Sequence, residues 1–523
     1  MVCGNSELKF KNQFSPISLE TSGSIFVTVT AAFGRKYPRG KMAGMIIDGV
    51  FPSEVSEHSN ISEKAVAAFL KFVEQRLDVA FIRNTHGIPE DMLAPLKLAY
   101  TLYEKGAITK FSKIASFPDE PRIHSWHALC NDPASNEVGG SSWESDASAL
   151  MATLAEALER YIWFTQGDYF VDPTIATTEK IGKKGDCIAP ERFAGFTEEQ
   201  RAGNRKRMMD KNTEYLWIRA MSLVRGSSVY IPAQVVNGSQ YTIENRSATT
   251  IEPLIRQRTT IGLATWPTIA GARLAGALEV IERDAYMVAW LNQLTLPRIS
   301  LASLTPLDAT LARALESCER YRLRPHVIKL MTDAPTHAVA VVLEDMSGRA
   351  PRFSFGLRTH RSLVAAVLKA LGEALHAHRN FRFREKNSTL WNAGSPTSEL
   401  GHSDRVDYWA IPEHAKHLEF FVAGPEMAAE AQPWDKDTEE VHLQRVVEWC
   451  AAKGFECVSA SLGTSSKNPT SLHIEQVVIP ELQPAYLKET WRTFGGTRWR
   501  DVPKMFGYTA LEKPYAERPH PFA

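Results

Sequence analysis

Two short stretches, Glu156-Ala-Leu-Glu-Arg160 and Glu279-Val-Ile-Glu-Arg283, repeat one spacing of charged residues. In each, the two glutamates lie three positions apart, and the arginine follows the first glutamate by four. Residues at these separations share one face of an α-helix. Apolar residues recur at helical spacing around both stretches, so each is predicted to lie in a helix beside an apolar stripe. The stripes are Leu150, Leu154, Leu158 and Ile162, and Leu274, Leu278, Ile281, Ala285 and Val288.

One such helix face is typical of a salt-bridged surface, but the second copy favours a binding site. Four carboxylates brought together cannot all ionise without cations between them. Mg²⁺ prefers oxygen ligands and usually takes phosphate oxygens beside carboxylates, and the two arginines can offset phosphate charge. No phosphate-binding sequence of the form G-x-x-x-x-G-K-[ST] occurs in the chain. The pattern therefore predicts a nucleotide or phosphate site built from glutamates.

A third helix is predicted over residues 361–380, where Glu373, His376 and Arg379 recur at spacing three. Alone, this pattern is more typical of a charged surface. Two transition-metal sites are disfavoured. His124-x-x-His127-x-x-Cys130 resembles half a zinc site without a second ligand pair. A di-iron bundle needs Glu-x-x-His twice, whereas only residues 373–376 have that form.

Composition limits the class of protein. The chain has 523 residues, 44% hydrophobic and 23% charged, as in a globular protein with a large core. Lys plus Arg and Asp plus Glu each total 60, so the net charge is zero and neither nucleic acid nor a membrane surface is an expected partner. No secretory signal or membrane-spanning run is visible. Six scattered cysteines are typical of a reduced, cytoplasmic protein.

Two domains are expected. Residues 1–118 form an N-terminal module with predicted helices at 62–73 and 89–105 and a strand at 107–110; it is either winged-helix-like, for peptide recognition or docking, or a helical cap. Residues 119–523 form a large α+β domain ending in a proline-rich tail. Strands are predicted at 327–328, 338–343, 457–458 and 476–479, and loops at 139–142 and 385–399.

Three blocks of this sequence resemble the YcaO family, the ATP-dependent enzymes that modify peptide backbones. They are residues 149–161, residues 262–285, and Val477 to Pro484 followed by Gly495-Gly-Thr-Arg498, Asp501-Val-Pro503 and Pro519-His-Pro521. The last block looks most like that of azoline-forming cyclodehydratases. The resemblance implies that a Cys, Ser or Thr side chain of a ribosomal precursor peptide attacks the preceding carbonyl. The amide oxygen is then phosphorylated by ATP and leaves as phosphate.

The resemblance also implies site residues and partners. Mg²⁺ would be held by Glu156, Glu159, Glu279 and Glu282, and ATP by these together with Arg160, Arg283, Glu373, His376 and Arg379. The tail residues Pro519, His520, Pro521 and Ala523 would position the reacting amide. Implied partners are the precursor peptide, an E1-like protein with a winged-helix element, a flavin-dependent azoline dehydrogenase and further copies of this chain as a homo-oligomer.

The sequence departs from the family pattern at several positions. Ala152 replaces a serine, Pro267 and Gly271 replace Asn and Glu, and His376 and His378 replace Gln and Arg. The tail ends in Phe-Ala rather than proline. These departures leave two other functions open. One is a non-catalytic scaffold that binds peptide or a partner enzyme, and the other is YcaO-type thioamide or amidine formation.

Overall fold

The computed structural model describes residues 21–22, 24–25, 71–72, 90–131, 137–165, 172–202, 204, 207–236, 252–387, 390, 397, 400, 404–462, 468 and 470–522. Contacts divide the chain into two units, residues 1–100 and 101–523. Among the described residues, no helix is long and apolar enough to cross a membrane.

Helices and strands alternate without one repeating order, which confirms the predicted α+β class. The helices are α1 (Leu93–Glu104), α2 (Asp146–Thr165), α3 (Thr178–Lys184), α4 (Glu198–Arg201), α5 (Ile269–Leu291), α6 (Leu301–Leu304), α7 (Ala309–Arg320), α8 (Leu363–Lys386), α9 (Asp404–Ala410), α10 (Pro412–Ala415), α11 (Glu419–Val422), α12 (Glu439–Lys453) and α13 (Arg498–Met505). Short 3-10 helices lie at Glu90–Met92, Pro190–Arg192, Ala233–Val235, Thr305–Leu307, Lys416–Leu418 and Glu489–Trp491.

The strands are β1 (Thr21–Ser22), β2 (Ser24–Ile25), β3 (Ile108–Lys113), β4 (His124–Cys130), β5 (Glu137–Ser142), β6 (Thr174–Thr177), β7 (Glu214–Ser222), β8 (Ser227–Pro232), β9 (Leu263–Trp266), β10 (Arg298–Ile299), β11 (Leu323–Lys329), β12 (His337–Asp345), β13 (Phe353–His360), β14 (Glu426–Met427), β15 (Val458–Ser461) and β16 (His473–Val478). In the first unit, β1 pairs with β2. The described residues of the second unit form three sheets, ordered β3-β4-β5, β6-β7-β15-β16-β9 with β8 paired to β7, and β13-β12-β11-β10-β14.

Helix α5 is the central element of the larger unit. Its C-terminal half, Ala285–Leu291, is fully buried in a core with β12 and β13, and its N-terminal half packs in a second core with α12 and β16. A helix that is apolar on nearly every side must be surrounded by protein. Thr268 begins α5 by accepting a hydrogen bond from the Gly271 amide at 3.0 Å. The glutamates on this helix are therefore placed inside the domain.

Most sequence-based predictions of elements are confirmed, and the exceptions are local. The helix predicted at 89–105 matches α1 with its preceding 3-10 turn, and the four predicted strand segments fall in or next to β11, β12, β15 and β16. The predicted loop at 139–142 is wrong, because these residues form β5. Helix α8 continues to Lys386, and much of the predicted loop 385–399 lies outside the described residues.

The N-terminal module stays a prediction. Its helix at 62–73 lies outside the described residues apart from positions 71–72. The strand expected in this module is β3, which pairs with β4 within the second unit. The domain boundary at residue 118 is likewise a prediction.

Candidate active site

Three strands that end their sheets lie beside the three helices with charged patterns. These edge strands are β5, β9 and β13. Helix α2 packs against β5 and β9, α5 against β9 and β13, and α8 against β13. An edge strand carries unpaired backbone amides that need hydrogen-bond partners. Here the partners are carboxylates of the helices.

Two glutamates are held at and beside the edge strand β9. The Thr265 amide donates to Glu159 Oε1 at 2.6 Å, and the Gly262 amide, just before the strand, donates to Glu279 Oε2 at 2.8 Å. Glu159 belongs to α2 and Glu279 to α5. The two repeated stretches, which begin 123 residues apart in sequence, thus meet at one strand.

Two further glutamates are held at β13. The Thr359 amide donates to Glu282 Oε2 at 2.7 Å, and the Leu357 amide donates to Glu373 Oε2 at 2.7 Å. These amides are two residues apart, so both point to the free side of the strand. At β5, the Gly139 amide is hydrogen-bonded to Glu156. Five glutamates from three helices are thus fixed by backbone amides of three sheet edges.

The five carboxylates also interact electrostatically. Desolvation by the surrounding protein raises the pKa of Glu156, Glu159 and Glu279. The negative charges of Glu156 and Glu279 raise the pKa of Glu159 further. For Glu373, desolvation and then the charge of Glu282 outweigh nearby arginines and bring its pKa to about 7. The raised pKa values show carboxyl groups that are removed from water, with crowding by their neighbours as a further cause.

The two arginines of the repeated stretches pair with glutamates of their own helices. Arg160 Nε lies 3.5 Å from Glu156 Oε1. Arg283 donates to Glu282 at 2.8 Å and to Glu279 at 3.3 Å. Glu282 is only 3% exposed, so the salt-bridged surface that one copy alone would suggest does not describe this face.

The donor set fits a magnesium ion shared with phosphate. One carboxylate oxygen of each glutamate accepts a hydrogen bond from a backbone amide. This bond fixes the orientation of the carboxylate and leaves further lone pairs for a ligand. In the described part of the chain, no three His, Cys, Asp or Glu side chains converge to hold a metal by themselves. Mg²⁺ usually takes one or two carboxylates and completes its shell with water and phosphates. The arrangement therefore suits a metal–phosphate complex rather than a metal alone.

The zinc-like pattern on β4 serves the sheet. His124 Nδ1 lies 3.2 Å from Asp146 Oδ2, and His127 is hydrogen-bonded to Ser112 and Glu137. The two histidines are three residues apart in a strand and so point to opposite faces. They cannot share one ion.

A cavity of about 1770 Å³ opens beside the carboxylates, between α2, β5 and α8. Glu156, Arg160, Glu373 and His376 line it. Burial lowers the pKa of His376 to about 4, with Arg379 adding to the effect, so its imidazole is neutral at pH 7. Neutral histidine can accept or donate a hydrogen bond, as the family's glutamine does.

Arg379 lines the same cavity but has partners on the opposite side. Its guanidinium donates to Glu120 at 2.5 Å, to Ser125 at 2.9 Å and to Ser116 at 3.1 Å. Arg379 is 3% exposed. Its present contacts hold α8 against β4 and the segment before it. Its role in nucleotide binding stays a prediction.

The C-terminal tail reaches α5 next to the carboxylates. The Arg283 guanidinium lies over the Phe522 ring, 4.5 Å from the centroid of the ring. The Phe522 amide donates to Tyr286 Oη at 3.2 Å. His520 is buried and its Nε2 lies 2.7 Å from the Tyr486 carbonyl. Pro519 and Pro521 are buried as well, and Ala523 lies outside the described residues.

A buried arginine anchors this tail. Arg405 on α9 donates to the His520 carbonyl and to the Leu487 carbonyl, both at 2.9 Å. It also pairs with Glu489 at 2.8 Å. Arg405 is fully buried, so every one of these contacts is shielded from water. Nothing in its sequence context marks it, because these partners lie 82 to 115 residues away.

The departures from the family pattern have structural counterparts. The hydroxyl of Thr153, the residue beside Ala152, donates to the carbonyls of Trp126 and Ala149. At Gly271 an added Cβ would come 1.9 Å from the Trp266 ring, so the indole takes the space of a side chain. His378 is buried, with Nε2 3.2 Å from Asp345 Oδ2.

Comparison with known proteins identifies the family. The model of the YcaO cyclodehydratase family, described as ATP- and Mg²⁺-binding, matches residues 142–483. The chain belongs to the YcaO family. The predicted family is thereby confirmed, and ATP and Mg²⁺, predicted as cofactors, are those of the family description. No curated protein matches the chain.

Solved structures share the fold of this YcaO protein. A heterocyclase in complex with substrate and cofactor is 20% identical with a TM-score of 0.64, over 81% of this chain and 57% of that one. YcaO from Methanopyrus kandleri, bound with AMPPCP and Mg²⁺, is 17% identical with a TM-score of 0.55, over 78% of this chain and 94% of that one. A chain of the E. coli microcin synthetase McbBCD complex is 13% identical with a TM-score of 0.51, over 72% of this chain and 88% of that one. This chain thus spans little more than half of the heterocyclase.

Proposed function

We propose that this protein is an ATP-dependent cyclodehydratase that converts Cys, Ser or Thr residues of a ribosomal precursor peptide to thiazolines or oxazolines. The observation that carries the proposal is the set of five glutamates fixed at three sheet edges within a YcaO fold. The adjoining cavity of about 1770 Å³ has room for a nucleotide and part of a peptide. A heterocyclase of the same fold binds substrate and cofactor.

The chain's own residues would act by positioning and charge. An amide oxygen is a poor leaving group, and bound ATP supplies the phosphoryl group that makes it a good one. Glu156, Glu159, Glu279 and Glu282 would hold Mg²⁺, oriented by their backbone amides. Arg160 would stabilise negative charge on the nucleotide. Most of the rate enhancement in such a site comes from orientation and preorganised charge.

Two groups of residues would complete the site. On α8, Glu373, His376 and Arg379 would form the cavity wall that faces the nucleotide. In the tail, Pro519, His520, Pro521 and Ala523 would place the reacting amide. The contact of Phe522 with Arg283 supports this role, because it brings the chain end to the glutamate helix.

Partners belong to the same proposal. The precursor peptide is the substrate, and an E1-like protein with a winged-helix element would deliver it, with residues 1–118 as a docking or recognition module. A flavin-dependent azoline dehydrogenase would oxidise the product, and the chain would act as a cytoplasmic homo-oligomer. The fold shared with one member of the McbBCD complex supports assembly with other proteins.

Glu282→Gln tests the site. Glutamine keeps the shape and can accept from the Thr359 amide, but it removes the charge that a metal requires. Peptide-dependent ATP hydrolysis should fall by roughly 100-fold or more, as for loss of a metal-ligand contact. Glu344→Gln is the matched control, because Glu344 in β12 is also a buried glutamate and pairs with His326. Its peptide-dependent ATP hydrolysis should stay within about threefold of wild type. Full activity of Glu282→Gln would refute the assignment.

Product mass separates the proposed chemistry from its YcaO-type alternatives. Cyclodehydration removes one water from the peptide for each ring. Thioamide formation exchanges oxygen for sulfur, and amidine formation joins an amine with loss of water. Tandem mass spectrometry then places the change at a Cys, Ser or Thr residue or elsewhere. A sulfur-for-oxygen exchange would replace cyclodehydration as the function.

A non-catalytic scaffold is the second candidate. Two observations favour it: the Thr153 hydroxyl donates its hydrogen bond to backbone carbonyls, and the Trp266 ring takes the space at Gly271 where the family carries a glutamate. Calorimetric titration of ATP and Mg²⁺, with peptide and partner protein present, distinguishes the two. Nucleotide binding supports the enzyme, and peptide binding without nucleotide binding supports the scaffold.

A further inference from the structure

Two cations beside the carboxylates have no role in the mechanism above. Arg358 lies on β13 between the two amides that hold Glu282 and Glu373, and Lys369 lies on α8 one turn before Glu373. Both line the large cavity, and both also line a small cavity of about 40 Å³ between α5 and β13. They therefore stand at the junction of the two spaces.

These cations lack the protein partners that the other basic residues of the site possess. Within the described ranges, neither side chain forms a hydrogen bond or an ion pair, and the buried Nε of Arg358 is unsatisfied. By contrast, Arg160 pairs with Glu156, and Arg283 pairs with Glu282 and Glu279. The charges of Arg160 and Arg283 are thus largely offset by protein carboxylates.

Neighbouring charges show how closely the cations are grouped. Burial lowers the pKa of His360 to about 3, and the positive charges of Lys369, Arg358 and Arg361 lower it further. The side chain of Lys369 faces the water of the cavity. Even so, desolvation by the surrounding walls and then the charge of Arg358 lower its pKa to about 8, so it is mainly protonated at pH 7. Grouped cations with unused donors are suited to a multiply charged anion.

We infer that Arg358 and Lys369 bind the terminal phosphate groups of a nucleoside triphosphate at the junction of the two cavities. The inference rests on the proposed function and adds residues that the repeated stretches do not contain. Carboxylates on one side and unpaired cations on the other form the environment that a metal-bound polyphosphate requires. Phosphates that accept from Arg358 and Lys369 would satisfy donors that the protein leaves open.

The inference predicts selectivity by phosphate number. Because the two cations contact terminal phosphates, their removal should weaken the binding of ATP and leave the binding of AMP unchanged. Calorimetry with Mg²⁺ present measures both ligands on wild type, Lys369→Met, Arg358→Met and Lys369→Arg. ATP affinity should fall at least tenfold in both Met variants, AMP affinity should change less than twofold, and Lys369→Arg should keep most of the ATP affinity.

Lys386→Met is the matched control. Lys386 lies on the same helix and lines the outer part of the same cavity, about 25 Å along the helix from Lys369 at 1.5 Å per residue. Its variant should bind ATP like wild type. Thermal unfolding of the Met variants, expected at or above the wild-type midpoint because cation repulsion is relieved, shows that they are folded.

Each outcome has a distinct meaning. If wild type binds ATP and the Met variants bind it equally well, this inference is overturned and the proposed function stays intact. Equal weakening of ATP and AMP would also overturn it, since a general distortion of the cavity would then be the cause. Wild type that binds neither nucleotide would refute the proposed function, and this inference with it.

Discussion

The carboxyl of Glu373 should make the free energy of unfolding fall as pH rises from about 4.5 through neutrality. Its pKa is about 7 in the folded protein and 4.5 in the reference state, because desolvation and Glu282 disfavour its charge. Between these values the folded state holds a proton that the unfolded state lacks. The free energy of unfolding therefore decreases through this window as pH rises, and the loss is complete above the folded pKa.

The magnitude follows from linkage. Between pH 6.5 and 8.5, a carboxyl with a folded pKa of 7 lowers the free energy of unfolding by about 0.8 kcal/mol. The whole shift corresponds to at most about 3.4 kcal/mol. Glu373→Gln keeps an acceptor for the Leu357 amide and removes the titration. Relative to wild type, the variant should gain about 0.8 kcal/mol in free energy of unfolding from pH 6.5 to 8.5. Taking this difference cancels groups that titrate in both proteins, such as Lys369 with its pKa of about 8.

Urea unfolding at pH 6.5, 7.5 and 8.5 measures the effect. Histidines buried in neutral form, such as His376 with a pKa of about 4, affect the slope mainly below pH 6.5, so this window avoids them. Glu385→Gln, at an exposed position of the same helix, controls for loss of a glutamate. If Glu373→Gln and wild type show parallel profiles from pH 6.5 to 8.5, the carboxyl does not titrate there. The argument from crowded carboxylates would then be wrong.

Two further predictions concern the packing around the site. Arg405→Met should lower the free energy of unfolding by about 3 kcal/mol, because it leaves Glu489 with fewer partners in the interior and frees the His520 carbonyl. Urea unfolding measures this change in free energy. If the C-terminus of the variant is no more sensitive to protease than that of wild type, the anchoring role is contradicted. Gly140→Ala should cost about 1–3 kcal/mol, because its Cβ would lie 2.7 Å from the Thr153 amide nitrogen. An unchanged thermal midpoint would show that β5 and α2 are not in such close contact.

The periodic features of this chain could be predicted from sequence. Helices α2, α5 and α8 follow from apolar residues at helical spacing, and the repeated E-x-x-E-R stretches do lie on the helices predicted for them. The glycine-rich segment 139–142 predicts a loop from sequence, since glycine usually marks turns. In the structure Gly140 permits close contact of β5 with α2, and pairing with β4 overrides the local preference.

The contacts that define the site could not be predicted. Its hydrogen-bond donors are backbone amides of Thr265, Thr359 and Leu357, which carry no side-chain signature. Arg358 and Lys369 belong to no motif in the sequence, although Lys369 stands at helical spacing before Glu373. They join the site only because β13 lies at the edge of its sheet, and strand order is a property of the whole fold.

The most direct test of the central claim is a crystal structure of the protein with Mg²⁺ and a non-hydrolysable ATP analogue. The account predicts a metal about 2.0–2.1 Å from carboxylate oxygens of the glutamates held at the sheet edges, bridged to phosphate oxygens. It also predicts that these glutamates keep their backbone amide partners. A nucleotide bound elsewhere, or a metal that contacts none of Glu156, Glu159, Glu279 and Glu282, would contradict the account.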